Sequence, residues 1–129
     1  MQLVVVDDDQ DIRQTLRILF EDEGYTVEEA DDGTTGLQVL QQQTSPCVVL
    51  LDYRMPGLDG GQVLHILADE RPLPIKHAFV LITAHDRMLP HPVQETMDRM
   101  QVVRVNKPFD IDHLVATVQQ LNTSLQADG

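Results

Sequence analysis

Acidic residues gather in this chain at places where short apolar runs stop. Val4-Val5-Val6 runs straight into Asp7, Asp8 and Asp9, and Val48-Val49-Leu50-Leu51 ends at Asp52. Two further runs end in different chemistry: Phe79 to Ile82 meets Thr83, and Val102 to Val105 meets Asn106, Lys107 and Pro108. Carboxylates brought within ~4 Å of one another repel by roughly 4 kcal/mol per pair at an effective dielectric near 20, so such a set calls for a cation. Oxygen-only donors suit a hard ion, Mg²⁺ above all, which keeps its waters and shares itself with phosphate. A carboxylate beside such an ion can attack phosphorus and become an acyl phosphate. Lysine would neutralise charge on the transferring group, and the threonine hydroxyl would hydrogen-bond one of its oxygens.

The elements that must position these groups can be read from periodicity. The apolar runs Leu3 to Val6, Tyr25 to Val27, Val48 to Leu51, Phe79 to Ile82 and Val102 to Val105 are short and mostly β-branched. That is the pattern of strands buried on both faces. Between them lie helical stripes. Ile12, Leu16, Leu19 and Phe20 mark the first, ended by Gly24; Leu37 and Leu40 mark the second, after an Asp32-Gly33 turn. Val63, Leu64, Ile66 and Leu67 mark a third from Gly60-Gly61, and Val93, Met97 and Met100 a thin fourth. Ile111, Leu114, Val115, Val118 and Leu121 form the clearest, with Asp110 as its N-cap. Arg71 to Ala78, with Pro72 and Pro74, reads as a loop. Five β-α alternations imply a parallel sheet with helices on both faces, and ligands of such sheets bind beyond the carboxyl ends of the strands.

Composition narrows the function. The 129 residues suit one domain, and 42% hydrophobic residues suffice for a core. Nine basic residues against twenty-one acidic ones give a formal charge of −12, which repels nucleic acid and anionic membranes. No apolar run approaches the ~20 residues of a membrane span, and the start meets acids without a basic n-region, so neither a span nor a signal peptide is expected. The single cysteine, Cys47, lies beside apolar residues and reads as a buried inert thiol; the chain reads as cytoplasmic. Asp9 and Asp11 read as helix-start acids, and Asp59 as a turn or helix-start acid. His85, Asp86 and His91 invite a zinc reading, but no two histidines have the i, i+4 spacing of a helical site. His65 and His113 read as exposed helix residues.

Four motifs, VVVDDD (Val4 to Asp9), LLDYRMPGLDG (Leu50 to Gly60), ITA (Ile82 to Ala84) and NKPF (Asn106 to Phe109), occur in this order. With them the sequence resembles the receiver domains of bacterial two-component response regulators, from Leu3 to about Leu121. The resemblance implies a single doubly wound (βα)5 domain, flavodoxin-like, over residues 1–121. Residues 122–129 are left as a polar tail, either a frayed end or the start of a linker. It implies Asp52 as phosphoacceptor, Asp7 and Asp8 as the acidic pair holding Mg²⁺ with Asp52, and the backbone carbonyl of Arg54 as a further ligand. Thr83, followed by Ala84, is then the switch hydroxyl, Lys107 the phosphate-contacting lysine, and Lys107-Pro108 a cis peptide. No other cofactor is implied. The expected partners are a sensor histidine kinase or phosphotransfer protein and an output domain or protein, with the chain a monomer or weak dimer. The domain would catalyse its own phosphorylation and dephosphorylation without turning over an independent substrate.

The sequence departs from the family pattern in one region. Where receivers carry Tyr or Phe three residues before the lysine, this chain has Arg104, and Met100-Gln101 replaces the usual Gly-Ala turn. Leu89-Pro90-His91-Pro92 delays the fourth helix, with Pro92 expected as its first residue. Arg104 is expected to stay at the surface, paired with Glu95 or Asp98. Any coupled response would then come from the Ala84 to His91 loop. The alternative is a receiver fold that binds partners without switching. A haloacid-dehalogenase-type phosphohydrolase would need D-x-D-x-[TV], where this chain has Asp11, and the P-loop motif G-x-x-x-x-G-K-[ST] does not occur.

Overall fold

The computed structural model describes residues 1–84 and 87–128. Five strands, β1 (Gln2–Val6), β2 (Thr26–Ala30), β3 (Val48–Asp52), β4 (Ala78–Ala84) and β5 (Val103–Lys107), form one parallel sheet in the order β2-β1-β3-β4-β5. The intervening helices are α1 (Gln10–Asp22), α2 (Gly33–Gln41), α3 (Gly60–His65), α4 (His91–Met100) and α5 (Ile111–Asp128). This is the doubly wound (βα)5 architecture expected from the alternation.

Side chains alternate across the sheet and divide the core in two. Val4, Val6, Val49, Leu51, Phe79 and Leu81 pack with Leu37 and Leu40 of α2, Val63 and Leu64 of α3, and Met97 of α4. Leu3, Val5, Val48, Leu50, Val80 and Ile82 pack on the other face with Leu16 and Phe20 of α1 and Leu114 and Val118 of α5. Both faces of β1, β3 and β4 are therefore covered, which is why their sequences read as unbroken apolar runs.

The helix starts are fixed by the acids expected there. Asp9 Oδ1 accepts from the amides of Asp11 and Ile12 at 2.9 and 3.3 Å, and Asp110 Oδ1 from those of Asp112 and His113 at 2.8 and 3.3 Å. Asp59 forms a reciprocal capping box with Gln62, each accepting the other's amide at 2.8 and 2.9 Å.

Several boundaries differ from expectation. β2 covers Thr26–Ala30 rather than Tyr25 to Val27, because an edge strand tolerates outward Glu28 and Glu29; Glu29 is paired with Arg13 and Arg17 of α1. Helix α3 passes into a π-helical turn, Ile66–Glu70, closed by the Arg71 amide on the Ile66 carbonyl at 2.6 Å. Ala78, expected at a loop end, opens β4 beside Val48. Helix α4 begins at His91, one residue before Pro92, which occupies the second helical position, where its missing N–H also goes without an intrahelical partner. The helix α5 continues through 122–128, read from sequence as a tail: Leu125 extends the apolar stripe, and buried Asn122 donates to Met1 Sδ at 2.8 Å.

Candidate functional site

Register brings the acids together. β1 and β3 are neighbours, with Val6 opposite Leu51, so Asp7 and Asp52 leave the sheet side by side. Both are buried, Asp7 2% and Asp52 6% exposed, whereas Asp8 faces solvent. Asp7, Asp8 and Asp52 each offer a carboxylate oxygen within 4.8 Å of the others, the one such group among the described residues. Gly60 makes the end of β3 possible: a Cβ there would lie 2.7 Å from the Asp52 carbonyl oxygen and 2.8 Å from Leu81 Cδ1.

Lys107 ends β5 and reaches across β4 to this group. Its Nζ lies 3.1 Å from Asp52 Oδ1 and 3.7 Å from Asp7 Oδ2. Burial and the neighbouring Asp7 charge push the Asp52 carboxyl up to about 6, although the Lys107 hydrogen bond pulls the other way. Burial also raises Asp7, offset by the Asp9 amide, which donates to Asp7 Oδ1 at 2.9 Å, and by Lys107. For Lys107 burial disfavours the ammonium, but the hydrogen bond and charge of Asp52 outweigh it, and its pKa rises. The Lys107 ammonium thus offsets only part of the cost of ionising two buried carboxylates.

Thr83, next to the end of β4, is 2% exposed, and its Oγ1 has no hydrogen-bond partner among the described residues. A buried hydroxyl left unpaired costs about 1–3 kcal/mol, which makes it a donor waiting for an acceptor. The Lys107-Pro108 peptide is cis, as the resemblance implied. Arg54 is exposed and lines a cleft of about 610 Å³ beside the acids, together with Asp8, Tyr53, Met55, Pro56, Asp59 and Arg87.

Arg104 stays at the surface, as expected, but its partners are not the acids of α4. Its Nε donates to Asn106 Oδ1 at 3.0 Å, and its Nη2 to the carbonyls of Arg87 and Ala84 at 2.6 and 3.4 Å. Glu95 instead lies beside His91, with 3.0 Å between its Oε1 and His91 Nδ1. The correction has a simple cause: the carbonyls of Ala84, at the end of β4, and of Arg87 lie beside position 104, within reach of the guanidinium fork.

The other histidines carry no metal site among the described residues. His65 lies 3.2 Å from Asp69 and His113 is exposed; His85 and Asp86 of the zinc reading lie outside the described residues. Two features escaped the sequence. His77, buried below β4, accepts the Cys47 amide on Nδ1 at 3.1 Å, with Cys47 Sγ 3.3 Å from the same nitrogen. Burial lowers His77 and pushes the thiol up to about 12; Cys47 is a buried free thiol whose surroundings disfavour the thiolate. Arg87 lies over the Tyr53 ring, 5.5 Å from its centre, at the mouth of the cleft. Neither pairing has a local signal, because each joins residues about thirty positions apart.

The pattern of the response regulator receiver domain matches residues 3–119. Sporulation initiation phosphotransferase F of Bacillus subtilis is 29% identical over 92% of this chain and 91% of its own length. The transcriptional regulatory protein FixJ of Bradyrhizobium diazoefficiens is 36% identical over 91% of this chain, which spans 54% of that relative. Among solved structures, a CheY-like receiver domain protein from Methanospirillum hungatei JF-1 superposes with a TM-score of 0.80 at 29% identity, covering 98% of this chain and 97% of that one. The fold, the motif order and these likenesses agree: the chain belongs to the response regulator receiver domains, the aspartate-phosphorylated modules of two-component signalling.

Proposed function

We propose that this receiver takes its phosphoryl group on Asp52 and uses the modified state to alter what it binds. The observation that carries the reading is the company Asp52 keeps: an ammonium 3.1 Å away and a buried threonine hydroxyl without a partner. With its carboxyl pushed up to about 6, Asp52 is still ionised at neutral pH and keeps a lone pair for attack on phosphorus. Lys107 supplies a fixed positive charge for the equatorial oxygens, and Thr83 a hydroxyl that donates to one of them once it arrives.

Receiver domains hold Mg²⁺ in an acidic cluster, and the residues here fit it: three hard carboxylate donors within 4.8 Å, two of them buried, with one lysine to offset them. On this reading Asp7, Asp8 and Asp52, with the backbone carbonyl of Arg54, would hold the ion. When bound, the ion supplies positive charge to the phosphoryl oxygens. The chain acts on its own side chain and turns over no separate substrate.

Receiver domains work with histidine kinases or phosphotransfer proteins and with output domains or proteins. For this chain we propose a phosphohistidine donor in the cytoplasm and an unidentified output partner. The unit that carries the chemistry is residues 1–121. The charge of −12 argues against direct contact with nucleic acid, and no helix among the described residues is long and apolar enough to cross a membrane.

Incubation with Mg²⁺ and a small phosphodonor, followed by intact mass, tests the reading. One added phosphoryl group in the parent and none in Asp52→Asn supports it; labelling that survives in Asp52→Asn overturns it. A second reading, a receiver fold that binds without switching, draws on Arg104, which occupies the usual aromatic position and is already engaged by carbonyls. A parent chain that takes up no phosphoryl group would favour it.

A further inference from the structure

We infer that Arg87 is a selecting residue among small-molecule phosphodonors, which favours acyl phosphates over phosphoramidate. The inference rests on Asp52 as the phosphoacceptor.

The cleft beside Asp8 has two cationic walls, Arg54 and Arg87, and at about 610 Å³ has room for a small phosphorylated molecule. Its acids have other neighbours. Asp59 caps α3 through the Gln62 amide, and Asp8 belongs to the carboxylate group with Asp7 and Asp52. Arg87 forms no ion pair among the described residues, and its buried Nε has no hydrogen-bond partner there.

Arg87 is nevertheless held in place. Its amide donates to the Ala84 carbonyl at 3.1 Å, its own carbonyl accepts from Arg104 at 2.6 Å, and its guanidinium lies over the Tyr53 ring. Tyr53 directly follows Asp52, so this cation is anchored beside the acceptor strand. A guanidinium held on an aromatic face at the wall of the cleft is arranged to receive a planar oxyanion.

The chemistry says which donors gain. When an acyl phosphate reacts, an Asp52 oxygen forms a bond to phosphorus and the bond from phosphorus to the acyl oxygen breaks. The electron pair of that bond leaves on a carboxylate, and no proton is required. Negative charge thus grows on the departing oxygen, where a guanidinium fork stabilises it. When phosphoramidate reacts, its nitrogen already carries the proton, so an Asp52 oxygen bonds to phosphorus, the P–N bond breaks and its electron pair leaves on neutral ammonia. Arg87 then has no growing anion to stabilise.

The test measures the rate of Asp52 labelling by acetyl phosphate and by phosphoramidate, both with Mg²⁺, in the parent, Arg87→Gln and Arg87→Lys chains. Because both rates come from the same preparation, their ratio is insensitive to partial misfolding. Arg87→Gln is expected to lower the acetyl phosphate to phosphoramidate ratio about tenfold, the worth of one charge-assisted contact. Arg87→Lys, which keeps the charge but not the fork, is expected to recover part of it. A ratio that Arg87→Gln leaves unmoved, in a parent labelled by both donors, overturns the inference alone. A parent labelled by neither donor overturns the Asp52 assignment and the inference with it.

Discussion

The two sides of the sheet are built to different standards. In β1 and β3, Leu3 to Val6 and Val48 to Leu51 are at most 1% exposed, and both strands are hydrogen-bonded along both edges. In β5, Val105 is the one buried residue; Arg104 is exposed, and Val103, Asn106 and Lys107 are half-buried. The helix before it has Pro90 just ahead of its start and Pro92 at its second position, and it is capped by Gln101, a non-glycine residue with φ of 56°. Segments with few buried contacts open at lower free-energy cost than core strands. The clustered carboxylates of β1 and β3 therefore stand on the part of the molecule least able to move. On the proposed function, β5 and α4, the elements that would report on them, stand on a part that opens more easily. Chemistry needs fixed distances, whereas signalling needs an alternative arrangement within a few kcal/mol.

The largest expected effect lies wholly on the rigid side. Asp52→Asn keeps the shape of the side chain but removes the nucleophilic charge, so phosphoryl uptake should fall below detection by intact mass. The circular dichroism spectrum should match the parent. An asparagine variant that still gains a phosphoryl group would move the acceptor elsewhere and dissolve the contrast drawn here.

The same substitution sharpens the comparison through pH and metal. Asp52 has a folded pKa raised to about 6 from 3.8, mainly by burial and then by Asp7. A raised carboxyl binds its proton more tightly in the folded chain, so its favourable contribution is complete below pH ~4 and is lost as pH climbs through about 6. Metal-free Asp52→Asn should then unfold with nearly the parent's free energy at pH 4. At pH 7.5 it should be the more stable by about 3 kcal/mol, at ~1.4 kcal/mol per pKa unit. Mg²⁺ at a hundred times its dissociation constant should add about 2.7 kcal/mol to the parent and much less to the variant. Urea titrations at the two pH values, with and without Mg²⁺, give all four numbers. A parent indifferent to Mg²⁺ would count against the metal site.

On the mobile side, the effect expected of Arg104→Ala is smaller in energy. Exposed hydrogen bonds of this kind contribute about 0.5–1.5 kcal/mol each at most, and solvent replaces part of the loss, so stability should fall by about 1 kcal/mol. The connection after β4 should loosen more than the global value suggests, with faster hydrogen exchange at the Arg87 amide, which is bonded to Ala84. In a structure with beryllofluoride on Asp52, Arg104 should remain outward while this connection rearranges. An inward, packed Arg104 beside an unchanged connection would show that β5 switches in the ordinary way.

Legibility followed the same divide. The convergence of Asp7, Asp8, Asp52 and Lys107 was readable because parallel topology converts strand ends into neighbours, and each stands at the end of an apolar run. Helix starts at Asp9, Asp59 and Asp110 were readable because capping is local. The limits of β2 were misjudged because an edge strand need not be apolar, and the continuation of α5 because Asn122 and polar neighbours hide the Leu121 to Leu125 spacing. Arg104 was placed correctly at the surface but given the wrong partners. A sequence reveals which acids lie on a helix, but not which loop carbonyls lie bare beside a strand.

The smallest effect tests the strain left on the mobile side. Gln101 caps α4 in the left-handed region, its amide bonded to the Asp98 carbonyl at 3.3 Å, and the next amide, that of Val102, bonded to Met97 at 2.9 Å. A side chain in that conformation costs about 1–2 kcal/mol, which glycine avoids. Glycine also has more freedom to lose on folding, which takes back about half of the gain. Gln101→Gly should therefore stabilise the chain by about 0.5–1 kcal/mol, read as a higher urea midpoint at unchanged slope. Since Gln101 is exposed and touches none of the site carboxylates, the Mg²⁺ response should keep its parent size. If glycine instead destabilises the chain, the Gln101 side chain makes a contact that outweighs its backbone strain, and the α4–β5 connection is more tightly specified than its exposure implies.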